Sequence, residues 1–229
     1  MPALRRLYEA FAHVPRPGSV PGCPHCVEPG EGACLLAVPV GSIEAASLAR
    51  YAAKAMTTWG GVAEFRYFLP RLLECAAADA FSYPDPEIVF GKLARAGWTA
   101  WPGEERAAVA AFMEEWWRTT LRRHPSRPPM DTVVCSLGAA GLDLTPVLDG
   151  WARLETDAAI AHLRDLVTDG LSGGRLTNAF WDRHGPAYGQ VLGWLTGGAA
   201  AAAVEAAFAR ETREPVLDLL AGLHPSLAA

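Results

Sequence analysis

Long apolar runs are missing from this sequence, and no stretch approaches the roughly 20 residues that a helix needs to cross a bilayer. That absence excludes a transmembrane protein. A basic excess is missing as well. The net charge is −5 and the pI is about 5.7, which excludes the usual nucleic-acid binder, since neutralising phosphates needs lysine and arginine in surplus. The one basic run, Arg118, Arg122, Arg123, His124 and Arg127, follows the acidic Glu114–Glu115 and reads as a solvated helix end. No apolar stretch follows the arginines of Met1-Pro2-Ala3-Leu4-Arg5-Arg6, so no secretory signal is read there. The expected compartment is therefore the cytoplasm, where five cysteines stay thiols or metal ligands rather than disulfides.

Catalytic signatures are equally scarce. There is no Walker loop, no Gly-x-Gly-x-x-Gly, no His-Glu-x-x-His, no Glu-x-x-His pair for a di-iron bundle and no Asp-rich run. Gly170-Leu171-Ser172-Gly173-Gly174 matches Gly-x-Ser-x-Gly in letters only, because the nucleophile elbow needs a strand before it and a helix after it. Here it reads as a helix-ending turn. Strand signals are nearly absent; the single candidate is Cys34–Val40, interrupted by Pro39.

What remains is helical periodicity, over a composition that is 51% hydrophobic and long enough to bury a core. Leu4, Leu7, Tyr8 and Phe11 form one stripe, and residues 14–40 are an irregular loop rich in proline and glycine. Ser42 is read as the cap of a helix burying Ile43, Ala46, Leu48, Tyr51 and Ala55. Phe65, Phe68, Leu69, Leu72, Leu73 and Ala76 mark the next, with Pro70 expected to bend or split it. Asp85-Pro86-Glu87, Pro102-Gly103-Glu104-Glu105, Thr145-Pro146 and Thr156-Asp157 are start signals. Leu176–Trp181, Pro186–Leu195, Ala199–Arg210 and Pro215–Leu223 complete the count.

The expected fold is all-α. About ten helices come as antiparallel pairs, stacked as an α-solenoid or helical-repeat-like array or as a compact bundle. Two lobes are expected, 1–123 and 131–229, joined by the proline-rich linker 124–130, although one continuous domain also fits. The eight tryptophans, at helix ends and on apolar faces, are assigned to packing.

Cys23-Pro24-His25-Cys26 carries the clearest chemistry. A Cys-x-x-Cys turn gathers two thiolates, which suits tetrahedral zinc. Cys34, eight positions on, and His25 complete a candidate structural zinc site of Cys23, Cys26, Cys34 and His25, with His13 a further imidazole nearby. A redox dithiol and inert packing thiols are the alternatives. Cys75 and Cys135 fall on apolar helix faces and are assigned to the core.

The block Trp59-Gly60-Gly61-Val62-Ala63-Glu64-Phe65-Arg66-Tyr67-Phe68-Leu69-Pro70-Arg71-Leu72-Leu73-Glu74 resembles one found in a group of uncharacterised bacterial helical proteins. So do Asp85-Pro86-Glu87-Ile88-Val89, Gly97-Trp98, Trp101-Pro102 and, more loosely, Asn178-Ala179-Phe180-Trp181. A cysteine-rich turn stands in that group where Cys23–Cys26 stands here, whereas Cys34 lies outside the pattern. The resemblance implies an all-helical unit and no activity.

The functional expectation is a binding protein that takes a protein partner in a helical groove, as an inhibitor, immunity or adaptor protein. The alternative is a metal-assisted enzyme with its pocket near the cysteine turn or between the lobes.

Overall fold

A computed structural model describes residues 2–227, apart from the side chains of residues 224–226; positions 1, 228 and 229, the outer limits of the two expected lobes, lie outside the described residues. The fold is all-α, with twelve α-helices and one two-stranded hairpin among the described residues. The chain divides into two compact units, Met1–Trp116 and Trp117–Ala229. The division falls inside a helix, and the proline-rich residues 124–130 belong to the second unit.

The first unit holds α1 (Pro2–Phe11), α2 (Glu31–Leu36), α3 (Ala45–Lys54), α4 (Val62–Ala77), α5 (Pro86–Arg95) and most of α6 (Gly103–Leu121). α4 is its centre and packs on α1, α3 and α5. Its Phe65, Phe68, Leu69, Leu72 and Leu73 are fully buried, and Tyr51 meets Phe68 with ring centroids 4.7 Å apart. Pro70 does not split α4, which runs unbroken over 16 residues. The burial of that apolar face outweighs the roughly 3 kcal/mol a mid-helix proline costs.

Two local expectations fail here. Cys34–Val40 forms no strand. Gly30, at φ 90°, turns the chain into α2, whose Cys34 N–H donates to the Gly30 carbonyl, and Val40–Ser42 is a 3₁₀ turn. Ser42 therefore lies before α3 rather than capping it, and Ala46 is exposed.

Buried charge in this unit is paired. Fully buried Glu105 accepts from Arg66 Nε at 3.1 Å and from its Nη2, and lies 3.1 Å from His13 Nε2. Lys92 extends its ammonium to the Ala53 and Ala55 carbonyls at 3.0 and 2.9 Å, closing the C-terminal end of α3.

The second unit holds α7 (Met130–Ala139), α8 (Thr145–Trp151), α9 (Asp157–Asp169), α10 (Pro186–Thr196), α11 (Ala199–Arg210) and α12 (Glu214–Leu227). α9 packs on α7 and α12, and α10 on α7, α8 and α11. Trp151 is its aromatic centre. The ring stacks on Trp194 at 5.4 Å, and its indole N–H donates to the Ala159 carbonyl at 2.9 Å. α7 and α10 approach so closely at Gly138 that a Cβ there would lie 2.8 Å from the Ala187 side chain.

Residues 170–174 are a hairpin turn, with β1 (Leu171–Ser172) paired to β2 (Arg175–Leu176). Gly173 and Gly174, at φ 54° and 69°, supply the left-handed pair that such a turn requires. Leu176–Trp181 is consequently no helix. Leu176 is committed to the hairpin, and the Asn178 side chain captures the Phe180 N–H at 2.9 Å.

No single helix among the described residues is long and apolar enough to cross a membrane.

Candidate functional site

The cysteine turn forms as a tight knuckle. The Cys26 and Val27 N–H groups both donate to the Cys23 carbonyl at 2.9 Å. The Cys23 N–H donates to Thr58 O at 2.8 Å and the Gly60 N–H to Pro21 O at 2.6 Å, pinning the knuckle to the α3–α4 connection. Gly22 is required by space, since a Cβ there would meet the Val27 side chain at 2.7 Å. From α3, Lys54 Nζ and Arg50 Nη2 both donate to the Cys26 carbonyl, the latter at 2.9 Å. The Cys23 thiol is held below its usual pKa, first by the His25 N–H and then by the Cys26 thiol, with smaller help from the Cys26 N–H and Lys54.

The structure thus brings Cys23 and Cys26 together, both half-buried. Cys34 lies exposed on α2 and the His25 ring is turned to solvent. Among the described residues, no three His, Cys, Asp or Glu side chains are gathered as a metal ion would require. Cys75 and Cys135 are buried in their helix faces.

A second constellation lies wholly in the second unit. A cavity of about 360 Å³ is lined by residues of the proline-rich segment, the start of α7 and the end of α9. Its ionisable lining is His124, Asp131, His162, Asp165 and Asp169, and no lysine or arginine is among the lining residues. His162, Asp165 and Asp169 come from one face of α9, at helical spacing.

His162 is buried, and its Nε2 lies 3.0 Å from both the Thr120 and Arg123 carbonyls. Carbonyls only accept, so Nε2 carries the proton. Burial lowers the His162 pKa against the pull of those two carbonyls. The His124 ring meets it edge-on at 4.9 Å and donates from Nε2 to Asp165 Oδ2 at 2.7 Å. Burial works against ionisation of Asp165, but hydrogen bonds from His124 and Arg164 outweigh it and hold its pKa below the usual carboxylate value. Asp131 is the opposite case. Burial raises its pKa, and the Asn178 amide, donating to Oδ2 at 3.1 Å, offsets that only in part. Asp131 Oδ1 is buried with no hydrogen-bond partner.

Among hydroxyls, Ser126 lines the cavity but donates to the Pro128 carbonyl at 2.9 Å, so it is no activated nucleophile. Three aspartates thus line the cavity, Asp165 and one oxygen of Asp131 have donors, and Asp131 Oδ1 has none.

Of this ionisable lining, the sequence singles out only His124, as part of a solvated basic run. The usable signal is His162, Asp165 and Asp169 at i, i+3 and i+7 on the helix that Thr156-Asp157 opens. Asp182 and His184, beside Trp181, hydrogen-bond to each other locally through the His184 N–H at 3.0 Å.

Set against protein-family models, curated proteins and solved structures, the chain matches none of them.

Proposed function

We propose that this chain is a binding protein whose second unit holds a small organic cation, an alkyl ammonium, in the cavity between the proline-rich segment and α9. The observation that carries this reading is Asp131 Oδ1, a buried carboxylate oxygen with no donor, in a cavity that two more aspartates line. A buried acceptor left without a partner costs about 1–3 kcal/mol, and an ammonium N–H recovers that cost on binding. Pro125, Pro129, Met130 and Leu166 supply apolar walls for the alkyl part of such a ligand. Dispersed carboxylates, rather than a tight cluster, favour an organic cation with its charge on an extended frame over a bare metal ion.

This reading keeps the sequence expectation of a binding protein and moves the ligand from a protein surface to a small molecule. It is tested by thermal unfolding with putrescine, using butanediol as the neutral control of the same length. The expected result is a rise in Tm with putrescine alone, absent in Asp131→Asn. At a hundredfold excess over Kd the stabilisation is about 2.7 kcal/mol. Equal shifts with the diol, or an unchanged putrescine response in the variant, would refute it.

A further inference from the structure

The knuckle in the first unit offers chemistry that the cation cavity does not use. A tight turn, closed by the Cys26 and Val27 N–H groups on the Cys23 carbonyl at 2.9 Å, carries the Cys23 and Cys26 thiols at its two ends. Both residues are partly open to solvent, whereas Cys75 and Cys135 are buried. The backbone of the turn is fixed independently of the sulfurs, by the bonds to Thr58 and Gly60 and by the two α3 cations on the Cys26 carbonyl. The pair can therefore open and close a bond without remaking the turn around it. The usual setting of such a dithiol is a helix N-terminus. Here turn N–H groups and Lys54 do the same work on the Cys23 sulfur.

We infer that Cys23 and Cys26 form a reversible dithiol that exchanges with low-molecular-weight disulfides, with Cys23 as the attacking sulfur and Cys26 as the resolving one. In the first step the Cys23 thiolate attacks one sulfur of a small disulfide RSSR. A Cys23–SR bond forms, the RS–SR bond breaks, and one RS⁻ leaves to become RSH. In the second step the Cys26 sulfur, having lost its proton, attacks the Cys23 sulfur. The Cys23–Cys26 disulfide forms and the second RS⁻ leaves as RSH. The pair gives up two electrons and two protons, and the small disulfide becomes two thiols. Cys34, exposed on α2 and away from the pair, is the internal reference, with the exposure but not the neighbours.

The test uses the full chain and glutathione disulfide, followed by alkylation and peptide mapping. Cleavage after Glu28 separates Cys34 from the pair. The expected product is a peptide with Cys23 and Cys26 two hydrogens lighter, restored by excess glutathione, while Cys34 still alkylates. In Cys26→Ser the reaction stops at a stable glutathione adduct on Cys23, formed about tenfold faster than any adduct on Cys34. Three results overturn the proposal. One is a pair that stays fully alkylatable. Another is glutathione adding to Cys34 as fast as to Cys23. The third is thiols shielded before any oxidant is added and released by a chelator, which marks a metal site. The wild-type measurement stands alone if the variant misfolds.

Discussion

Both units bury ionisable side chains, and Asp131 of the second is treated unlike Glu105 and Lys92 of the first. In the first, Glu105 is closed by Arg66 and His13, and Lys92 by two carbonyls at the end of α3. In the second, Asp131 keeps one oxygen without a donor, and three aspartates share a cavity with no lysine or arginine lining it. The unpartnered buried atoms of the first unit, Tyr51 Oη and Trp59 Nε1, belong to groups that stay neutral. Burial disfavours the charged form of Tyr51 still further and raises its pKa. Buried charge is used as a fastener in the first unit, whereas Asp131 in the second keeps an oxygen that nothing fastens. Removing a fastener must therefore weaken the fold, whereas removing an unfastened charge must strengthen the empty protein.

The largest effect is expected at Glu105. Glu105→Ala strands Arg66 and should cost about 3 kcal/mol in denaturant unfolding. Lys92→Met comes next, at about 2 kcal/mol near neutral pH, because two buried carbonyls lose their donor. It carries a pH signature as well. Burial, with a smaller contribution from Arg95, pushes the Lys92 pKa down to about 8 from an ordinary 10.5, so the unfolded chain holds that proton more tightly. Wild-type stability relative to Lys92→Met should thus rise between those two pH values.

Asp131→Asn tests the other side of the comparison. It removes a charge that burial disfavours, so the empty protein should gain about 1 kcal/mol while losing its response to putrescine. A destabilised variant would place Asp131 with the fasteners. The smallest effect is expected for Asp165→Asn. Its pairs with His124 and Arg164 are part-exposed and contribute about 0.5 kcal/mol. Because the folded pKa of Asp165 is depressed, that contribution is present above the ordinary carboxylate pKa and lost as pH falls through the folded value. Acid unfolding of wild type and variant should converge there.

The fold class was legible because apolar stripes and start signals are local. Asp85-Pro86-Glu87 and Thr156-Asp157 open α5 and α9 as read, the latter with Thr156 Oγ accepting the Ala159 N–H at 3.1 Å. Two segments were misread where a nonlocal or single-residue effect decided the outcome. Left-handed Gly30 turned Cys34 into a helix, and pairing with Leu171 kept Leu176 out of one; at Pro70, of the expected bend or split, the split does not occur. The cysteine turn was legible because its closeness is written into a four-residue spacing. The cavity was not, because His124 and Asp165 are 41 residues apart and meet only after α9 returns along the proline-rich segment.

His162 has a consequence beyond its own state. One ring proton is shared by the carbonyls of Thr120 and Arg123 where α6 ends, and the same ring is a wall of the cavity. On the proposed function, an occupant that pressed on that wall would pull on the helix terminus through a single atom. The final turn of α6 would then be a gauge of whether the chamber is full, to be read in how slowly its amides trade hydrogen for deuterium.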